Sequence, residues 1–226
     1  MCGYFGFRKR GGATSTVLDA LGLSEYVEGP RLLRRVIPGL ITHENGNYQQ
    51  SKAMWWFAHE KNSDGMYEPN FKYTTFNARN VDSNFWKPHL NQRRGIFLAS
   101  EIGESQGAVS NAKKYLMTSE RGLILGAIYN DWHNEDGSVQ RSVAVITRDP
   151  HKRFSQYHDK SIPCFLPADL DVIKHWLDPT INANDALIQS LLDQPTITED
   201  LSVQQVKTYS KAEALGDPER LKKDSS

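Results

Sequence analysis

The chain has 226 residues, with 27 Lys and Arg balancing 27 Asp and Glu, so bulk electrostatics announces no nucleic-acid binder and any such site must come from local clustering. The length is ample for a hydrophobic core and suits one large domain or two small ones. No run approaches the roughly 20 apolar residues of a membrane span, the start lacks the apolar region of a signal peptide, and the two cysteines, Cys2 and Cys164, have no metal-ligand spacing. The expectation is therefore a reduced, cytoplasmic protein with no membrane partner.

In chain order, "CGYFGF" reads as a strand, since aromatics favour strands and the glycines allow close backbone approach. Two basic clusters follow early, Arg8-Lys9-Arg10 and Arg31 with Arg34-Arg35, either of which is ordinarily a solvated surface. "STVLDALGLSEYV" reads as a short helix capped near Ser15 or Thr16. "RRVIPGLITHENGNYQQ" gives a strand, a turn at Pro38-Gly39, another strand and a turn at Asn45-Gly46. "KAMWWFAH" is strand-like and "EKNSDGMYEPN" is a loop. "TTFNARNVDSNFW" leaves a strand for a helix or turn, and Ile96-Phe97-Leu98-Ala99 is an apolar strand. "RGLILGAIYNDW" and "RSVAVITRDP" are strands joined at Asp136-Gly137. "PADLDVIKHWLD" is an amphipathic helix with Leu170, Ile173 and Leu177 on one face, and "NDALIQSLL" is a second, capped by Asn184 or Asp185. Short strands with helices at the periphery and late in the chain predict an α+β fold: a mainly antiparallel, barrel-like β-sheet core with peripheral helices. One domain is expected over residues 1–215, with a polar, disordered tail over 216–226.

Cys2 is small enough for methionine aminopeptidase to remove Met1, which leaves a 1,2-aminothiol: a free α-amine and a thiol two carbons apart. Three more polar residues stand near the ends of apolar segments, Asn77, Glu104 and His158, where a rigid scaffold meets solvent. Singly, each is an ordinary turn or surface residue. Together, a nucleophile, an amide, an acid and an imidazole make a complete nucleophilic site. The chain has no P-loop, GxGxxG, HExxH or EF-hand pattern, and the other histidines lack ligand spacing, so neither a metal nor a cofactor is expected.

"MCGYFGF" resembles the start of two families. Class II glutamine amidotransferases begin Cys-Gly-x-Phe-Gly, and "HENGNY" looks a little like their Asn-Gly-Glu stretch. SOS response-associated peptidases begin Met-Cys-Gly. "FNARNVDSNFWKPHLNQRRGIFLASEIGE" looks like the central block of the second family: Asn77-Ala78-Arg79 matches its triplet, Phe85 the region after it, Arg93-Arg94 its basic pair and Glu104 its acidic position. "AMWWFA", "LGAIY" and "SVAVIT" resemble its other strands, and "YHDKSIP" resembles its His-(Asp/His)-Arg-x-Pro, which gives His158. The resemblance runs from Cys2 to about Pro163. The Arg-Gly-Pro-Asp-like segment of the amidotransferases is missing. The chain departs from the peptidase pattern at Tyr4 and Lys160, each usually Arg, at Arg34-Arg35 for Tyr-Asn, at Ser105 for Trp and by one extra residue before Pro163. It looks like a divergent member.

The resemblance implies covalent capture of abasic sites in single-stranded DNA. The Cys2 amine would attack the ring-opened aldehyde and the thiol would close a thiazolidine. It implies that Glu104 shuttles protons, that His158 bonds the sugar oxygen and that Asn77 orients the amine or sugar. Arg79, Lys87 and Lys160 are the expected phosphate contacts. Trp55, Trp56 and Phe85 are candidates for stacking on bases, with at least one tryptophan expected in the core because the pair alternates across a strand. The family name implies autocatalytic removal of Met1 or release from a peptide. A monomer is expected, associated with the nucleoid when engaged on DNA. The rival readings are a glutamine amidotransferase-like cysteine hydrolase and a non-catalytic DNA-binding relative.

Overall fold

A computed structural model describes residues 3–108 and 110–225; Cys2 lies outside the described residues. The chain forms β1 (Tyr4–Phe7), α1 (Gly12–Ala20), β2 (Gly29–Leu32), β3 (Val36–Glu44) and β4 (Asn47–Met54). A small hairpin, β5 (His59–Lys61) with β6 (Tyr67–Pro69), precedes the two-residue β7 (Asn77–Ala78) and α2 (Lys87–Gln92). Two long strands follow, β8 (Arg94–Gln106) and β9 (Lys113–His133), then β10 (Val139–Arg148) and β11 (Ile162–Pro163). Next come α3 (Leu170–Leu177), α4 (Ala186–Asp193), β12 (Leu201–Val206) and β13 (Glu219–Leu221).

The fold is α+β and mostly sheet, as expected, with one large, mainly antiparallel sheet in the order β13-β12-β9-β10-β4-β3-β8-β1-β2. β8 and β9 also pair with each other along most of their length. The sheet nonetheless falls short of a closed barrel. Its β10–β4 step rests on Ser142 opposite Met54 alone, and its β3–β8 step on Ile41 opposite Ile96 alone.

Hydrophobic alternation explains why β8 and β9 are the spine. Phe97 and Ala99 enter one core cluster with Phe5, Trp55, Met117 and Val145. Ile96 and Leu98 enter a second on the other face with Phe7, Leu18, Ile128 and Trp176. Antiparallel sheets commonly leave one face wet; here helices and loops cover both, so the apolar run 96–99 is continuous. α3 and α4 form where the pattern predicts; Ile173 and Leu177 are buried as expected, Trp176 joins them while Leu170 is only half-buried, and Asp169 and Asp185 accept from the first-turn amides. α1 starts earlier than expected, at Gly12 after Gly11. A side chain at position 11 would press into the backbone of Arg121 at 2.2 Å, so glycine fits there for close approach.

Other expectations change too. Pro38-Gly39 is a bulge inside β3, where the register against β4 shifts between Ile37 and Leu40. The strand expected through the tryptophans ends at Met54, and the "EKNSDGMYEPN" loop holds the β5–β6 hairpin. The tail contributes β13, whose Leu221 is buried. Asp224 also bonds the Ile197 backbone on both its main-chain and side-chain groups, so a polar end is tied down by pairing that composition does not reveal. Finally, Arg8-Lys9-Arg10 and Arg34-Arg35 are exposed, as a solvated surface would be, but Arg31 is not. Arg31 is buried and its guanidinium donates to the carbonyls of Pro38 (3.0 Å), Gly29 (2.6 Å) and Val27.

Candidate functional site

Glu104 sits two residues before the end of β8, where β1 begins alongside: Tyr4 pairs with Gly103. The first described residues therefore enter the sheet beside Glu104. Successive strand residues face opposite ways, so Glu104 points to the face of Ile102, while Tyr4 and Gly103 share the other. The Glu104 carboxyl is buried, with the residue 1 % exposed. Burial disfavours its charged form and pushes its pKa up to about 7. A buried carboxyl that titrates near neutrality can hold or release a proton at working pH.

His158 meets it from the loop between β10 and β11. Its ring Nδ1 is 3.8 Å from a Glu104 carboxylate oxygen and 2.7 Å from the Ser105 carbonyl oxygen. A carbonyl only accepts, so Nδ1 carries the hydrogen and Nε2 is the basic nitrogen of the neutral ring. Burial lowers the imidazole pKa, against the opposing pull of the Ser105 hydrogen bond, which favours the neutral ring. The loop is laced to the end of β8: the Gln106 side chain accepts from the Asp159 amide at 3.1 Å and donates to the Ser155 carbonyl at 3.4 Å. Behind it, the Tyr157 hydroxyl donates to Glu219 of β13 at 2.6 Å, and Arg153 donates to the Lys222 carbonyl at 2.9 Å.

Asn77 lies in β7, half-buried, paired in parallel with Val145 of β10. Arg79, two residues on, donates to the Lys160 carbonyl at 2.5 Å. The structure thus brings Glu104, His158, Arg79 and Lys160 into one neighbourhood, with the Arg79 and Lys160 side chains exposed. Lys87 is elsewhere. It opens α2, which leads into Arg94 at the start of β8, the opposite end of that strand from Glu104.

Both tryptophans are buried. Trp55 donates to the Phe76 carbonyl at 2.9 Å and Trp56 to the Asn70 carbonyl at 2.8 Å. Trp56 is 3 % exposed, packed by Phe71, Phe76 and the Arg34 guanidinium, and so has no open ring face for a base. Phe85 is 48 % exposed, as is Phe71. Tyr4, which stands where the family usually has Arg, is also buried. Its hydroxyl donates to Glu101 at 2.5 Å, and Arg8 bonds the same carboxylate at 2.8 Å. Burial and that carboxylate push the Tyr4 phenol up to about 12, so it stays neutral.

Sequence reading did not mark Tyr209. Its ring stacks on Tyr4 with centroids 5.2 Å apart, and its hydroxyl donates to the Glu104 carbonyl at 2.8 Å. A lone tyrosine after a short strand carries no local signal. Among the described residues, no group of three or more His, Cys, Asp or Glu could hold a metal ion, and no helix is long and apolar enough to cross a membrane.

Residues 24–211 match the family described as SOS response associated peptidase. The chain belongs to that family. No curated protein matches its sequence. Among solved structures, a protein from Bordetella bronchiseptica is similar at 18% identity with a TM-score of 0.68, over 92% of this chain and 100% of that one. A phage-related protein from the same organism is similar at 16% identity and a TM-score of 0.65, over 96% of this chain and 100% of that one. A protein from Bacteroides thetaiotaomicron is similar at 15% identity and a TM-score of 0.63, over 92% of this chain and 93% of that one. These likenesses establish a shared fold.

Proposed function

We propose that this protein traps abasic sites in single-stranded DNA as a covalent adduct on Cys2 after Met1 removal, shielding the lesion during the DNA-damage response. The observation that carries the reading is the buried Glu104, raised to about 7, beside a neutral, tautomer-fixed His158 at the end of β8 where β1 enters. Family membership supports the same chemistry.

The abasic sugar equilibrates with its open aldehyde. The Cys2 α-amine, with a reference pKa of about 7.7–8.0, is partly neutral at cellular pH and adds to the carbonyl carbon. Glu104 takes the amine proton and returns it to the departing hydroxyl, so water leaves and an imine forms. The thiol then adds across the C=N bond, with its proton passing to nitrogen. A five-membered thiazolidine results with no net oxidation. Only an N-terminal cysteine presents both groups, and holding them side by side favours closure. His158 Nε2 accepts from the sugar hydroxyl during ring opening, and Asn77 orients the amine or sugar. Arg79 and Lys160 bind the phosphates flanking the lesion, and Lys87 binds one several nucleotides away. Phe85 is the exposed candidate for stacking on a base. The protein works as a monomer in the cytoplasm and joins the nucleoid when it engages DNA. A form that keeps Met1 has its Cys2 amine blocked and is inert; autocatalytic release of Met1 would supply the active form.

The test is a denaturing gel of protein confirmed by mass to begin at Cys2, mixed with a single-stranded oligonucleotide carrying one abasic site. A heat-stable shifted band is expected, absent in Cys2→Ala. No band from correctly processed protein overturns the proposal.

A further inference from the structure

We infer that Tyr209 is a positioning residue that fixes the start of β1 against Glu104 from the face of the sheet behind the site. The inference rests on the reaction proposed above, since it assigns a brace to that site.

Three observations carry it. The Tyr209 ring lies flat on Tyr4, 5.2 Å between centroids and 17° between planes, and Tyr4 is the first paired residue of β1. The Tyr209 hydroxyl donates to the backbone carbonyl of Glu104 at 2.8 Å. One side chain therefore touches both the strand that delivers the N-terminus and the residue that would move its proton. Between the two contacts lies Gly103, where a Cβ would meet the Tyr209 ring at 2.8 Å. The missing side chain is what lets the ring cross β8 at that point. Tyr4, Leu116, Val206 and Tyr209 form a small apolar cluster of their own, separate from both main cores, and β12 delivers Tyr209 to it through its pairing with β9.

The contact acts through geometry. Backbone atoms of Glu104 held from behind fix where its carboxyl sits on the front, and the stacked Tyr4 fixes the entry of β1 relative to it. Loss of the brace loosens that spacing and lets water reach the carboxyl. Among the described residues, the charged and titratable groups that bear on Glu104 are His158, with Arg79 and Asp159 beyond it, and Tyr115, its cross-strand partner on β9. Tyr209 meets Glu104 at its backbone carbonyl and Tyr4 at its ring, so a shift in the Glu104 titration on changing Tyr209 reports the brace.

The test compares wild type, Tyr209→Phe and Tyr209→Ala in a time course of adduct formation at saturating abasic oligonucleotide from pH 5 to 9. The Glu104 carboxyl is titrated in parallel by carbon NMR. Tyr209→Ala is expected to slow adduct formation about ten-fold or more and to move the Glu104 titration toward the ordinary carboxylate range, with unchanged affinity for an undamaged oligonucleotide. Tyr209→Phe keeps the stack and is expected to lose about two- to five-fold. Unchanged rate and titration in Tyr209→Ala overturn the inference, as does a rate loss that weaker binding to undamaged DNA accounts for. Should Tyr209→Ala fail to fold, Gly103→Ala displaces the ring while leaving Tyr209 in place: a slowed reaction with a shifted titration upholds the brace, and wild-type behaviour overturns it. If wild type itself forms no adduct, the functional proposal falls, and the NMR titration alone decides the role of Tyr209.

Discussion

The two ends of β8 each bury a charged side chain and do so to opposite purpose. At one end Arg94, 3 % exposed, donates to the backbone carbonyls of Leu90, Asn91, Trp176, Asp178 and Ile181. Those carbonyls belong to α2, to the end of α3 and to the turn after it, so one guanidinium ties three segments to the sheet. Burial lowers its pKa to about 10, which still leaves it charged at neutral pH. At the other end Glu104 is as deeply buried, but burial pushes it up to about 7, into the range where a proton moves. Burial of a charge alone does not mark function. A cation encased in main-chain acceptors is architecture; a carboxyl desolvated beside an imidazole where strands open is equipped for chemistry.

The sharpest way to break that contrast is to remove each charge. Arg94→Met leaves five main-chain carbonyls without their donor. Each hydrogen bond to a charged group contributes about 1.5–3 kcal/mol, without additivity, so a stability loss of at least about 3 kcal/mol is expected in urea unfolding. A change below 1 kcal/mol would mean that water or a local shift replaces the guanidinium and that Arg94 is not structural.

Glu104→Gln is expected to act the other way, slowing adduct formation by roughly 10²-fold while the fold survives. Its pH dependence has a definite sign. The folded pKa of Glu104 is raised from 4.5 to about 7, so between those values the folded state binds the more protons and stability falls as pH rises. Wild type should lose stability over about pH 4.5 to 7 relative to Glu104→Gln and run parallel to it on either side. Parallel curves throughout would show that the carboxyl is not desolvated in solution.

The same contrast explains what the sequence could reveal. The Ile96–Ala99 stretch of β8, β10, α3, α4 and the Asn45-Gly46 and Asp136-Gly137 turns follow from local periodicity and turn chemistry, whereas β8 runs on to Gln106 and takes in Glu104, which was expected beyond the strand. Glu104 and His158 were legible because a motif spaced them. Arg94 sat in the same motif and carried no hint that its partners would be carbonyls from residues 84 and 87 positions away. Trp56 read as an exposed aromatic candidate because an alternating strand was expected, but β4 ends at Met54 and the chain turns both indoles inward. Tyr209 and the tail were hidden for the same reason: the stack of Tyr209 on Tyr4 and the pairing of β13 with β12 are set by tertiary contact and not by their neighbours in the chain.

The finest distinction lies among the basic residues, and salt separates them. Each phosphate contact on a single strand contributes about 0.7 to the slope of log affinity against log salt. Lys160 is exposed on the His158 loop, and its carbonyl holds Arg79. Lys160→Ala should therefore lower that slope by about 0.7 even on an oligonucleotide of a few residues centred on the lesion. Lys87 opens α2, which leads into the Arg94 end of β8. Lys87→Ala should leave the slope on the short oligonucleotide untouched and lower it only on one long enough to run the length of β8. If Lys87→Ala changes the short complex as much as Lys160→Ala, the strand does not lie along β8 and both ends of that strand meet the lesion. If neither length responds, Lys87 is a solvated lysine, and the DNA contacts gather at the Glu104 end alone.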